Sequence, residues 1–280
     1  MTETPTDKPV IRILTPVRNG EDWISDTVLS VVRQRAVLEG RVRLDYTVLD
    51  GASSDATVER ARAAGGDAIE IISQPDGGVY DAVAQGFASR TGEICGYINA
   101  GDLLFDGAFD VLTNVMSSGE VQWVCGYNVH FTAGGAGVGV VLPYRYSRRA
   151  IRAGFHAIRL PIIQQESTFW TGELLGHVDL DRLARAKLAG DFYLWHTFAQ
   201  HASLYVVDAL LGGFRHHGDH LSDQVDDYLA EMKEIADRPR ASDYLRTSFD
   251  RWAWRAPVGL KKRLNRKELL LYDDKTDTWR

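Results

Sequence analysis

Apolar and polar positions follow two alternating periods along the first hundred residues. Short β-branched runs stand at Val10-Ile11-Arg12-Ile13-Leu14, Leu44 to Leu49, Ala68 to Ile72 and Glu93 to Ile98, the pattern of strands buried in a sheet. Between them the spacing turns helical. Trp23, Ile24, Thr27, Val28, Val31 and Val32 share one stripe that ends near Gln34 and Arg35, and Val79, Val83 and Phe87 mark another. Ser54-Asp55 opens the helix between these two, where a short polar side chain caps free N–H groups and an acid suits the positive end of the dipole. Strand and helix alternating at this spacing predict right-handed βαβ units, hence an α/β fold with a mostly parallel sheet covered on both faces.

In such sheets the ligand crevice lies outside the carboxyl ends of the strands. An acid or amide follows each of the four runs, at Asn19, Asp50, Asp76 and Asp102. Four loops predicted to meet at one cleft therefore carry groups suited to a nucleotide.

Composition narrows the class. With 280 residues, 45% hydrophobic and 25% charged, the chain can bury a large core without disulfide or metal staples. Cys95 and Cys125 stand in apolar strand-like contexts and read as buried thiols. The chain holds no apolar run near the ~20 residues that span a bilayer, and its polar start, Thr2 to Pro9, has no signal-peptide character. Both point to a cytoplasmic enzyme. The net charge of −6 conceals an asymmetry: from Arg251 to Leu270 seven cations face Glu268 alone, so this stretch is +6 and the remainder −12. An acidic body excludes a general nucleic-acid binder. The basic stretch also carries Trp252, Trp254, Leu260, Leu264 and Leu269. It reads either as an amphipathic segment that meets an anionic membrane peripherally or as a helix packing its tryptophans on the body.

Seven motifs carry a resemblance. They are Thr15-Pro16-Val17-Arg18-Asn19, Asp50-Gly51-Ala52-Ser53-Ser54-Asp55, Ser73-Gln74-Pro75-Asp76-Gly77-Gly78-Val79-Tyr80-Asp81, Tyr97-Ile98-Asn99-Ala100-Gly101-Asp102, Gln165-Glu166-Ser167-Thr168-Phe169-Trp170, Gly190-Asp191-Phe192 and Gly213-Phe214-Arg215-His216-His217. In this order, from about Val10 to Ser222, the chain resembles the family 2 glycosyltransferases of the GT-A fold, inverting enzymes that use nucleotide-sugar donors. The resemblance implies a nucleotide-diphospho-sugar transferase fold over residues 1–222, with a donor half at 10–106 and an acceptor half at 107–222. A basic, amphipathic helical tail follows at 223–280.

The resemblance also assigns roles. Thr15, Pro16, Arg18 and Asn19 would border the nucleoside, Asp50 would accept from base N–H or ribose hydroxyls, and Asp76 would assist it, with Tyr80 and Asp81 on the first turn of the next helix. Asn99, Ala100, Gly101 and Asp102 correspond to the family's metal-binding motif. Mg²⁺ or Mn²⁺ bridging the two phosphates would stabilise the charge of a departing nucleoside diphosphate, and here Asp102 is the one assured carboxylate. His216 or His217 could add a ligand or touch the diphosphate. Asp191, at the start of an apolar-periodic helix, is the candidate general base, with Glu166 as its rival or as a ligand of the acceptor sugar. Phe169 and Trp170 would offer a stacking face. The expected acceptor is a saccharide or lipid-linked saccharide, reached at the inner face of the membrane, in surface polysaccharide or glycolipid synthesis. A sugar-nucleotide nucleotidyltransferase is disfavoured because no basic glycine-rich loop follows the first strand. A non-catalytic nucleotide-sugar-binding protein is suggested by the thinned acids at Asn99 to Asp102. The sequence carries no signal of oligomeric state.

Overall fold

The computed structural model describes residues 8–216 and 225–280. The four expected runs form β1 (Val10–Val17), β2 (Arg43–Asp50), β3 (Glu70–Ser73) and β4 (Ile94–Tyr97), followed by β5 (Leu103–Leu104), β6 (Trp123–Cys125), β7 (Asn128–Phe131), β8 (Gly137–Val141), β9 (Thr168–Thr171), β10 (Tyr205–Val207), β11 (Gly212–Arg215) and β12 (Leu269–Leu270). Eight of these make the main sheet, in the order β12-β10-β6-β9-β4-β1-β2-β3. All are parallel except β9, which runs against both β4 and β6. A second sheet, β5-β11-β7-β8, closes over one end. The glycine-rich stretch after Phe131 makes the β7–β8 hairpin.

Local rules account for most elements. The helix Ile24–Val32 buries Ile24, Thr27, Val28 and Val31, the stripe read from the sequence, while Trp23 sits at its N-cap. Asp55 accepts from the N–H of Thr57 at 3.1 Å as the next helix, Thr57–Gly65, begins. The third strand starts two residues later than its apolar run because Gly66–Ala68 forms a tight 3-10 turn, entered through Gly66 at φ +53°. Such a backbone favours glycine.

Four aromatic rings hold the middle of the sheet to its helical cover. Trp123, Trp170, Trp195 and Phe198 meet with ring centroids 5.4–5.9 Å apart, each buried ring contributing area plus edge-to-face attraction. Trp170 is fully buried, and Phe169, on the opposite face of β9, is 2% exposed. The sugar-stacking face expected of this pair is therefore absent: both rings are core.

Residues beyond 225 pack on the same body. Leu269 and Leu270 add β12 to the edge of the main sheet. Trp254 is buried against Tyr146, with ring centroids 5.2 Å apart. Lys261 donates to the carbonyl of Leu142 and Asn265 to that of Tyr144. The helices Ala241–Trp254 and Val258–Leu264 break at Pro257, as proline at a helix start dictates.

Candidate active site

The carboxyl ends of β1 to β4 point the same way, and their loops form one wall. The first two loops are laced together. Asn19, in the left-handed region at φ +52°, donates its N–H to Ser53 Oγ at 2.7 Å and accepts from the Ser54 N–H at 2.9 Å. Gly20 donates to Thr57 Oγ1, and Glu21 accepts from the Ala56 N–H. Asn19 thus shapes the wall, and Arg18 stands exposed beside it. Thr15 and Pro16 are buried beneath, the Thr15 hydroxyl 2.9 Å from Tyr46 Oη.

Asp50 ends β2 almost fully buried. Its Oδ2 accepts from Ser53 N–H at 3.1 Å and Ser73 Oγ at 2.6 Å, whereas Oδ1 makes no hydrogen bond among the described residues. A buried acceptor without a donor costs free energy until something fills it. Asp76 lies alongside: a Cβ built on Gly51 would come within 2.9 Å of Asp76 Oδ2. The space that a side chain at Gly51 would need is filled by Asp76 reaching across from the next loop. Asp76 Oδ1 accepts from the Gly78 N–H, and Asp81 accepts from the Gly77 N–H at 2.7 Å. Asp81 therefore closes the Asp-Gly-Gly turn.

Three further carboxyl groups gather deeper in the cleft. Asp102 is 3% exposed, contrary to the solvent-facing position expected of a residue at a strand end. Its backbone is pinned by Thr27, which donates to its carbonyl at 2.8 Å, and its Oδ1 accepts from the Arg215 N–H at 3.0 Å. Burial raises its proton affinity to about 7 despite those contacts and the nearby Arg215 charge. Glu166, on the turn before β9, is equally buried. Gly212 lies so close that a Cβ there would meet the Glu166 carbonyl oxygen at 1.9 Å, which glycine alone permits. Desolvation first, then repulsion from Asp102, pushes the Glu166 carboxyl well above its ordinary range, and its Oε1 has no partner among the described residues. Such a carboxyl gives up its proton less readily than an ordinary one.

Asp191 enters from the other side, in the first turn of the helix Gly190–His201. Gly190 is required beside it, since a Cβ would fall 2.4 Å from the Tyr80 ring. Tyr80, whose hydroxyl donates to the Leu188 carbonyl at 3.0 Å, thereby ties the donor helix Val79–Ser89 to this loop. Asp191 Oδ1 accepts from Phe192 N–H at 2.6 Å and lies 3.4 Å from the Tyr228 hydroxyl. Its proton affinity rises to about 6, mainly by burial and against those hydrogen bonds. Asp102, Glu166 and Asp191 thus form one electrostatic unit, Glu166 feeling both neighbours.

Two contributors escaped the sequence reading. Tyr228 and Glu231 lie one turn apart on the helix Val225–Ile235, and Glu231 accepts from the N–H groups of Lys187, Leu188 and Ala189 at 2.9, 2.8 and 3.3 Å. That carboxylate holds the loop leading into Asp191. An acidic surface helix was the only signal in the sequence, because its partners lie about forty residues away.

His216 stacks on His130, its Nε2 3.1 Å from His130 Nδ1. Among the described residues no three His, Cys, Asp or Glu side chains converge as a metal cage. His217 lies outside the described residues. Asp102 is the one carboxylate of this motif that a cation would meet, and a carboxylate oxygen suits Mg²⁺ or Mn²⁺ better than a softer metal. Asn99, whose amide donates to Gln165 at 3.3 Å, Ala100, half-buried against the core, and Gly101, at φ +109° and donating its N–H to Thr27 Oγ1, shape the turn before Asp102.

Comparisons with known proteins bear on the fold and the family. The chain is 28% identical over 183 residues to uncharacterized glycosyltransferases of two Mycobacterium tuberculosis strains, an alignment covering 63% of this chain and 65% of theirs. The chain thus matches just under two thirds of the length of these curated relatives. Among solved structures it resembles S. aureus TarS 1-349 in complex with UDP-GlcNAc (TM-score 0.60, 13% identity, 89% of this chain and 76% of that one). It also resembles glucosyl-3-phosphoglycerate synthase of M. tuberculosis (TM-score 0.51, 17% identity, 83% and 82%). At these identities the likeness concerns the fold, which is GT-A. Residues 12–168 match the family described as glycosyl transferase family 2, and with the strand-end acids in their expected order the chain belongs to that family.

Proposed function

We propose that this glycosyltransferase moves a sugar from a nucleotide-diphosphate sugar to a hydroxyl of a saccharide or lipid-linked saccharide, with inversion at the anomeric carbon. The observation that carries the reading is Asp191: a carboxylate with a proton affinity near 6, at a helix start, and close enough to Glu166 to raise that group's own proton affinity. A group of that basicity is ionised at neutral pH yet can take up a proton as the acceptor hydroxyl attacks. With Asp191 as the base, no other carboxyl group among the described residues is assigned as a nucleophile, which favours a single displacement.

Asp50 and Asp76, with the unpaired Asp50 Oδ1, would receive base or ribose donors; Asn19 and Arg18 border them. Lys187, whose Nζ lies 3.5 Å from the Gly77 carbonyl, brings a cation to the same loop. Asp102 would hold Mg²⁺ or Mn²⁺, which supplies charge stabilisation for the leaving diphosphate. Protonated Glu166 would donate a hydrogen bond to a sugar hydroxyl, favouring its role as a ligand over that of rival base. That the TarS structure is a complex with UDP-GlcNAc supports a nucleotide-sugar donor.

The test is a panel of sugar nucleotides with and without Mn²⁺, read first as thermal shift and then as acceptor-dependent release of nucleoside diphosphate. Ligand at about 100 times Kd stabilises the native state by roughly 2.7 kcal/mol. Binding without transfer, for any acceptor and metal, would mark a nucleotide-sugar-binding protein instead.

A further inference from the structure

The helix Ala241–Trp254 has its polar side turned inward. It buries Asp243, Thr247 and Asp250 together with Ala253 and Trp254. The two acids are matched from the body, Asp243 by Arg149 at 2.9 Å and Asp250 by Arg145 at 2.8 Å. Its outward face carries Leu245, Phe249 and Trp252, which are 77%, 47% and 55% exposed. At spacings of four and three residues these make one stripe, and the Phe249 and Trp252 rings touch at 5.6 Å. Exposed apolar residues scattered singly need no explanation, whereas a contiguous stripe marks a contact.

Charge identifies the partner. Arg246, Arg251 and Arg255 flank the stripe, all exposed, and the next segment adds exposed Val258, Arg263, Leu264, Arg266 and Lys267. From residue 244 to 267 the only acid is Asp250, buried against Arg145. The patch therefore shows six exposed cations and no exposed acid, on a chain of net charge −6. A second copy docking by the same patch would bring like charges together across a two-fold axis. An anionic lipid surface meets both features: aromatic and aliphatic side chains enter the interface, and arginines on the flanks reach the phosphates.

We propose that the helix Ala241–Trp254 lies flat on an anionic bilayer, with Leu245, Phe249 and Trp252 inserted and Arg246, Arg251 and Arg255 paired with headgroups. The side chains expected from sequence divide accordingly. Trp254, Lys261 and Leu269 face the protein interior, and Trp252 alone of the two tryptophans reaches out. The surface stands independently of the transfer chemistry, since none of these residues borders the cleft carboxylates.

Co-sedimentation of the full chain with phosphatidylcholine vesicles, with and without phosphatidylglycerol, tests this. Wild type binds the anionic vesicles at low salt, leaves them at high salt and ignores neutral ones. The exposed triple change Leu245→Ser, Phe249→Ser, Trp252→Ser keeps the thermal midpoint and lowers partition by about tenfold or more. Trp252→Phe keeps binding and loses the blue shift of tryptophan emission that vesicles induce. The proposal is overturned if wild type fails to bind anionic vesicles at low salt, or if the triple variant binds as wild type does. It is equally overturned if the stripe proves to join two copies, shown by a dimer that the triple change dissociates without any vesicle binding.

Discussion

Replacing Asp191 with asparagine should make the protein more stable and nearly inactive. The carboxyl moves from an ordinary 3.8 to about 6 in the folded chain. At 1.36 kcal/mol per unit, the ionised form costs the fold at most roughly 3 kcal/mol. The sign follows from proton binding: the folded state holds this proton more tightly than the unfolded chain. Its contribution is therefore full below about 3.8 and is lost as pH rises through about 6. Asparagine is neutral throughout, and its carbonyl oxygen can still accept from Phe192 and Tyr228. Near pH 8 the variant should melt up to roughly 6–12 °C higher, at about 2–4 °C per kcal/mol for a chain of this size, and near pH 4 the two should coincide. Turnover should move the other way, falling by ~10²-fold or more with little change in donor KM, since a general base supplies about that much. Wild-type kcat/KM should rise with slope one through pH 6 and the variant's residual rate should be flat. Melting curves by circular dichroism across pH, paired with initial rates, check both limbs. A variant that is less stable at pH 8, or equally active, would refute the assignment of Asp191 as a strained base.

Other outcomes follow from the same cleft. Glu166→Gln replaces a carboxyl whose buried setting favours its neutral form, so chemical denaturation should change by less than about 1 kcal/mol while acceptor KM rises; if it abolishes turnover and Asp191→Asn does not, the two roles exchange. Gly212→Ala drives a Cβ into the Glu166 carbonyl and should cost about 3 kcal/mol or more, measured by urea unfolding. Chelation should remove transfer and Mn²⁺ or Mg²⁺ restore it, and Asp102→Asn should raise the metal requirement; activity surviving both would end the metal role of Asp102.

A deletion after Asp250, which the sequence would suggest for separating the basic segment from the body, is expected to give insoluble protein. It removes β12 from the main sheet and Trp254 from its contact with Tyr146.

What the sequence by itself determined is local. The runs that became β1 to β4, the stripe Ile24 to Val31, the Asp-Gly-Gly turn and the order of acids after the strands are legible because side-chain period and turn chemistry act over a few residues. The convergence of Asp50 and Asp76 on one wall followed from them, since parallel strands put their carboxyl ends at one edge. Only the tertiary structure decided what depends on distant partners. It set β9 antiparallel between β4 and β6, brought Leu269 to the sheet edge, and buried Asp102 beneath Arg215. It turned His216 onto His130 and put Glu231 under the loop that aims Asp191. Residue type says that a carboxyl group is present; burial among residues far away in sequence sets how tightly it holds its proton. The same physics separates Trp254 from Trp252, two positions apart on one helix, one in the core and one in water.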